Sequence, residues 1–213
     1  MSQEESGVER RWPNADAQGE HSAVYPTSIG QQHLWFLDQL DRAASAAYHM
    51  AAGYYLQGRL NRQAMRAALD AIVARHEALR TRFVLLDGQP VQWIAPAEVS
   101  FDLIEHDLSG LPERIQKLRV DELISSEASE PFDLSAGPLM RGALLRVGPE
   151  EHVLLITQHH IISDGWSIGV LMQELAKLYA AFSEGRPNPL RAPPLQYGDY
   201  ALWQRQRLFF AKL

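Results

Sequence analysis

The sequence has no cysteine among its 213 residues. This removes a disulfide framework, a thiolate zinc site and a cysteine nucleophile in one step. Positive charge is also scarce: 20 Lys and Arg stand against 26 Asp and Glu, a formal net charge of -6. Nonspecific nucleic-acid binding requires an excess of phosphate-neutralising cations, so that class is excluded. No run approaches the roughly 20 apolar residues that span a bilayer. The opening residues MSQEESGVERRW carry charge where a secretory signal needs an apolar stretch. The expectation is a soluble, cytoplasmic protein that binds neither nucleic acid nor membrane. The phosphate-cradling patterns G-x-x-x-x-G-K-[ST] and G-x-G-x-x-G are missing as well, and no redox cofactor has a visible home.

What is present is a chain of ordinary globular composition, 46% hydrophobic and 22% charged, with enough length for a real core. Residues 1–22 are polar and without periodicity, and read as a flexible leader. Ser28 is placed to cap a helix through about Leu40, with Leu34, Trp35, Leu37 and Leu40 as its buried stripe. Residues 50–60 read as a strand ending at Gly58. Asn61 then caps a helix whose apolar positions are Met65, Leu69, Ile72 and Val73. Asp87-Gly88 joins RTRFVLL and QPVQWIA as a hairpin. A helix follows from about Pro112 to Ser129, then the loop PFDLSAGPLM. Two strands come next, RGALLRV and a near-continuous apolar run from His152 to about His160, as for a strand covered on both faces. Helical spacing resumes from Trp166 to about Phe182 and stops at Gly185, and a last helix begins near Tyr197. Strands and helices interleave, so the fold class is α/β.

Chemistry concentrates in Gln158-His159-His160-Ile161-Ile162-Ser163-Asp164-Gly165-Trp166-Ser167. Strand side chains alternate, so His159 and His160 face opposite ways and cannot chelate one metal together. No HxxxH or HxH spacing offers a substitute, and no metal site is expected. One of the two histidines can project from the strand end into a cleft, near neutral pKa, and accept a proton from an attacking amine. The alternative is a histidine that satisfies a backbone carbonyl. Asp164 either orients that histidine or pairs with an arginine to stiffen the turn. Serine catalysis is not expected, because no acid stands out to complete a triad. Two further segments attract notice. RHEALRTRF (75–83) lies where a helix meets a strand, where cations favour the helix C-terminus. YGDYALW (197–203) repeats aromatics at helical spacing, as core packing does.

Together these segments resemble the condensation-domain family of nonribosomal peptide synthetases. SIGQQHLWFL (28–37) is similar to the family's first motif, S-x-A-Q-x-R-L-W-x-L, with Gly30 for Ala and His33 for Arg. RHEALRTRF matches the second, HHIISDGWS the third (HHxxxDG), and YGDYALW resembles the fourth. The resemblance covers residues 23 to about 210. It implies a chloramphenicol-acetyltransferase-like α+β two-layer sandwich, a mixed sheet with helices packed on it. It also implies a reaction between an acyl or peptidyl thioester and the amine of an aminoacyl thioester. Both substrates ride on the phosphopantetheine arms of donor and acceptor carrier proteins, and the domain itself binds no cofactor. His160 becomes the general base or amine-positioning group, His159 a structural neighbour, and Asp164 the partner of Arg75 in a buried ion pair. Gly165 allows close backbone approach, with Trp166 and Ser167 beside the substrate tunnel. A whole domain of this family is about twice as long, so residues 23–213 are expected to be its N-terminal lobe, without the C-terminal one. An epimerisation-type domain and a non-catalytic, carrier-binding lobe are the alternatives.

Overall fold

The apolar run at Glu151–His159 forms the centre of the molecule. In the structure, a computed structural model that describes residues 23–41 and 44–210, this strand (β7) lies between two antiparallel neighbours, His49–Gln57 (β2) and Met140–Gly148 (β6). Leu103–Asp107 (β5) adds a parallel edge to β6, giving a four-stranded mixed sheet in the order β2-β7-β6-β5. Leu154 and Ile156 of β7 face one way, into a core shared with two helices, Arg62–Arg75 (α2) and Gly165–Ser183 (α4). Leu155 faces the other way, toward Val120 and Leu123 of a third helix, Glu113–Ser129 (α3). With helices on both faces, both side-chain rows of β7 must be apolar, which is why its sequence does not alternate. Each such Leu or Ile, buried fully, contributes about 1.5–3 kcal/mol relative to exposure.

A second, antiparallel sheet has the order β1-β4-β3, from Ala23–Pro26 (β1), Gln89–Ile94 (β4) and Thr81–Leu86 (β3). Its hairpin turns at Asp87 and Gly88, both at positive φ (50° and 72°), as a two-residue connection between right-twisted strands requires. The remaining helices are Ile29–Leu40 (α1) and Tyr197–Phe210 (α5). Ser28 and Gln31 form a reciprocal capping box at the start of α1, and Asn61 caps α2 through Ala64 N. α5 sits tightly on β1: a Cβ at Gly198 would lie 2.8 Å from the Tyr25 ring, so the glycine of the fourth motif permits this approach.

Most elements stand where their periodicity places them, and two do not follow it. β1 and β5 carry no strand signal of their own. The inward face of α1 also differs from the expected stripe: Gln31 and Asp38 are buried, while Leu40 is 67% exposed. The expected leader, residues 1–22, lies outside the described residues. No helix among the described residues is long and apolar enough to cross a membrane.

Candidate active site

β7 ends at His159, and the chain turns sharply through residues 160–164 into α4. His159 has no exposed surface, whereas His160, one residue on, is exposed. The His160 ring is held by its Nδ1, which donates to the Ser163 carbonyl at 2.7 Å. A carbonyl can only accept, so the proton of the neutral ring sits on Nδ1 and the Nε2 lone pair is left to receive another. His160 thus satisfies a backbone carbonyl, one of the two alternatives left open by the sequence, through Nδ1.

His159 is fixed in the opposite tautomer. Its Nδ1 accepts the Ile161 N–H at 3.1 Å, so its Nε2 donates to Ser45 Oγ at 3.2 Å. The ring packs edge-on against His49 and Phe132. Burial, with further opposition from His49 and His160, lowers its pKa to about 4. The unfolded chain gains this proton near pH 6.5 and the folded chain only near 4, so stability falls as pH drops through that window. Denaturant midpoints should report a loss of about 2 kcal/mol between pH 7.5 and 5 from this residue. The loss should shrink in His159→Gln; an equal pH dependence in both chains would contradict it.

Asp164 does not form the expected ion pair. It is exposed, and its Oδ1 caps α4, accepting Ser167 N at 2.8 Å and Ser167 Oγ at 2.7 Å. The Ser167 hydroxyl and backbone amide are the main reasons its pKa lies below the ordinary aspartate value. Arg75 instead meets Glu174, nearly three turns further along α4, through Nη2 at 3.0 Å and Nε at 3.0 Å. His76 Nε2 reaches the same carboxylate at 2.6 Å. The reason is geometric: at a helix N-terminus an aspartate is consumed by the unpaired amides of the first turn, while Glu174 projects sideways from α4 toward α2. The cost of Asp164→Ala is therefore that of a lost cap, about 1 kcal/mol, visible as a small fall in Tm. A loss of 3 kcal/mol or more would restore a buried pair.

Gly165 opens α4, and a Cβ there would meet open space, so no contact among the described residues demands glycine. Residues 165–169, GWSIG, fit the letters of a nucleophile elbow, but the Ser167 hydroxyl donates to Asp164 rather than to a histidine, so no triad forms. Trp166 is 84% exposed and stands with Ser167 at a recess of about 230 Å3, floored by Leu79, Ile162 and Leu171. The aromatics of the fourth motif are not core, contrary to expectation. Tyr197, Tyr200 and Trp203 form a half-exposed ladder with ring centroids 5.5 and 5.9 Å apart. Among the described residues, no group of three or more His, Cys, Asp or Glu is arranged to hold a metal.

Side chains from the other motifs converge on this turn. Gln31, 3% exposed, donates from Nε2 to Gln92 Oε1 at 3.0 Å and to the Ile161 carbonyl at 3.3 Å, and its Oε1 accepts Ser28 N. Ser28 Oγ lies 3.1 Å from Tyr197 Oη. Gln196, just before α5, accepts from Glu77 N and donates to the Arg75 carbonyl. The four motifs are thus one hydrogen-bonded assembly around His160. Ser45 and Glu174 were not singled out from sequence, and Ser163 stood within the HHIISDGWS segment without a role for its carbonyl.

The condensation-domain family model matches residues 21–210. Chondramide synthase cmdD of Chondromyces crocatus is 48% identical over 187 residues, covering 88% of this chain and 5% of that protein. Malpibaldin synthetase of Mortierella alpina is 47% identical over 178 residues, covering 84% and 3%. Among solved structures, the starter condensation domain of rhizomide synthetase RzmA superposes with a TM-score of 0.78 at 24% identity. That match covers 87% of this chain and 46% of the other, and it shows the same chloramphenicol-acetyltransferase-like fold. The chain therefore spans less than half of that domain structure and a small fraction of the synthetases. With four motifs assembled around one turn and a family match over nearly its whole length, the chain belongs to the condensation-domain family of nonribosomal peptide synthetases.

Proposed function

We propose that this chain supplies the histidine-bearing lobe of an amide-forming reaction between two carrier-bound thioesters. The observation that carries the reading is His160: exposed at a strand end, tethered through Nδ1 to the Ser163 carbonyl, with Nε2 free to accept. The acceptor amine attacks the donor thioester carbonyl, a C–N bond forms and the C–S bond breaks. His160 Nε2 takes the proton lost by the amine and returns it to the departing thiolate of the donor phosphopantetheine, so the base is regenerated. Proton transfer of this kind is worth about 10²–10⁴-fold in rate. Holding the two tethered substrates together supplies a further share, for which the same nitrogen serves as a positioning acceptor. The partners are a donor carrier protein, an acceptor carrier protein and a second lobe that closes the substrate channel.

The test mixes acyl-loaded donor and aminoacyl-loaded acceptor carrier proteins with the chain and follows both mass and stereochemistry. An amide that requires both carriers and retains the acceptor's configuration is the expected result. Inversion of the aminoacyl α-carbon with the acceptor carrier alone would instead establish an epimerisation-type domain. Carrier binding without either change would reduce the chain to a docking lobe.

A further inference from the structure

The first sequence motif has no role in the chemistry just described, yet its glutamine reaches the catalytic turn. The peptide unit that follows His160 is held from both sides by side chains. His159 Nδ1 takes the Ile161 N–H at 3.1 Å, and Gln31 Nε2 gives a hydrogen bond to the Ile161 carbonyl at 3.3 Å. Neither backbone group of Ile161 is spent on a sheet or helix ladder. Among the described residues, the turn's other internal ties are Ile162 N to the His159 carbonyl at 3.1 Å and His160 Nδ1 to Ser163. Gln31 is suited to this task because both its N–H groups and its oxygen are engaged. Its two N–H groups serve Gln92 and Ile161, and its oxygen accepts Ser28 N within the α1 cap. Gln92 is anchored in turn to the Pro26 carbonyl at 2.8 Å. The chain of contacts runs from β1 through β4 and α1 to the residue beside His160.

We propose that Gln31 is a positioning residue for His160, acting through the Ile161 carbonyl to hold the turn in which Ser163 selects the Nδ1–H tautomer. The inference rests on the condensation reading above, but its own claim concerns the imidazole and can be read without turnover. Gln31→Glu is the sharpest variant. It keeps the shape and the acceptor for Ser28 N, and Gln92 can donate to the new carboxylate only by releasing the Pro26 carbonyl. The Ile161 carbonyl has no such remedy and loses its donor.

Nitrogen NMR of the chain labelled at histidine reads the His160 tautomer directly. The unmutated chain should show one Nδ1–H form. Gln31→Glu should show a mixture, with kcat for amide transfer reduced about 10-fold or more and KM within about twofold. Asn61→Ala, which removes the cap of α2 far from the turn, should leave the tautomer single. A single Nδ1–H form with full kcat in Gln31→Glu would overturn the proposal. The unmutated chain gives an independent reading: the Gln31 side-chain amide protons should exchange with solvent far more slowly than those of exposed Gln206. Fast exchange would overturn it equally. If the unmutated chain, supplied with the second lobe, transfers no acyl group, the condensation reading fails while the tautomer comparison still decides the role of Gln31.

Discussion

Replacing His160 with alanine is expected to lower the rate of amide formation by about 10²–10⁴-fold and to leave Tm nearly unchanged. The two halves of this expectation come from the same geometry. The ring is exposed and, among the described residues, makes one hydrogen bond, to the Ser163 carbonyl, so its removal opens no cavity and strands one acceptor. Surface changes of this kind usually stay within about 0.5 kcal/mol. The rate, by contrast, loses the only imidazole nitrogen in the turn that can accept a proton, because His159 is buried with both nitrogens committed. His160→Gln separates the two roles available to the ring. A glutamine can orient an amine but cannot carry its proton at neutral pH, so recovery of activity in this variant would favour positioning over general base. Rapid-quench kinetics with loaded carrier proteins, beside calorimetry of each variant, make the comparison.

Glu174→Ala is expected to destabilise the chain by about 3 kcal/mol, the low end of what breaking a buried pair from one side costs. Arg75 and Glu174 each keep only 14% of their side-chain surface, and His76 shares the carboxylate at 2.6 Å. Burial would raise the Glu174 pKa, but the Arg75 and His76 hydrogen bonds outweigh it and hold the carboxylate below its ordinary range. Removing it leaves the Arg75 guanidinium, among the described residues, with the Arg191 carbonyl as its remaining partner. For a chain of this length the change corresponds to a fall in Tm of about 6–12 °C. A double-mutant cycle with Arg75→Met should return part of the loss, because the stranded charge goes with it. Independent, additive effects of the two substitutions would contradict a shared pair. Since this pair joins α2 to α4, the helix that starts beside His160, a thermal loss should be accompanied by lower activity even where the chain is still folded.

How far the fold could be read from sequence depended on whether the signal was local. The β3–β4 hairpin was legible because Asp87-Gly88 states its turn chemistry in two residues. α2 was legible because Met65, Leu69, Ile72 and Val73 repeat at helical spacing and all are buried. β5 was not, since LIEHD does not alternate cleanly and becomes a strand by pairing in parallel with residues about 40 positions on, Leu103 with Gly142. α1 misled for a different reason. Its polar Gln31 and Asp38 face inward, against the usual pattern, and Gln31 does so because its amide is spent on Gln92 and Ile161.

The candidate site divides the same way. That His159 and His160 separate follows from the two-residue period of a strand, and their burial differs accordingly. The partner of Arg75 did not follow. Asp164 and Glu174 are both acids on the same helix, and only the three-dimensional angle between α2 and α4 shows that the second meets the arginine. Asp164 instead caps α4, as Ser28 and Asn61 cap α1 and α2. Contacts such as Ser45 to His159 and Gln31 to Ile161 join residues 114 and 130 positions apart and had no local signature.

The most direct measurement of the central claim is the intact mass of the acceptor carrier protein after one turnover, with this chain and with its His160→Ala variant. The account predicts that the acceptor gains the mass of the donor's acyl group in the presence of the unmutated chain, that the donor loses it, and that the variant yields little of either change. Equal transfer by the two chains, each supplied with the second lobe that closes the channel, would contradict a catalytic role for His160 in this chain.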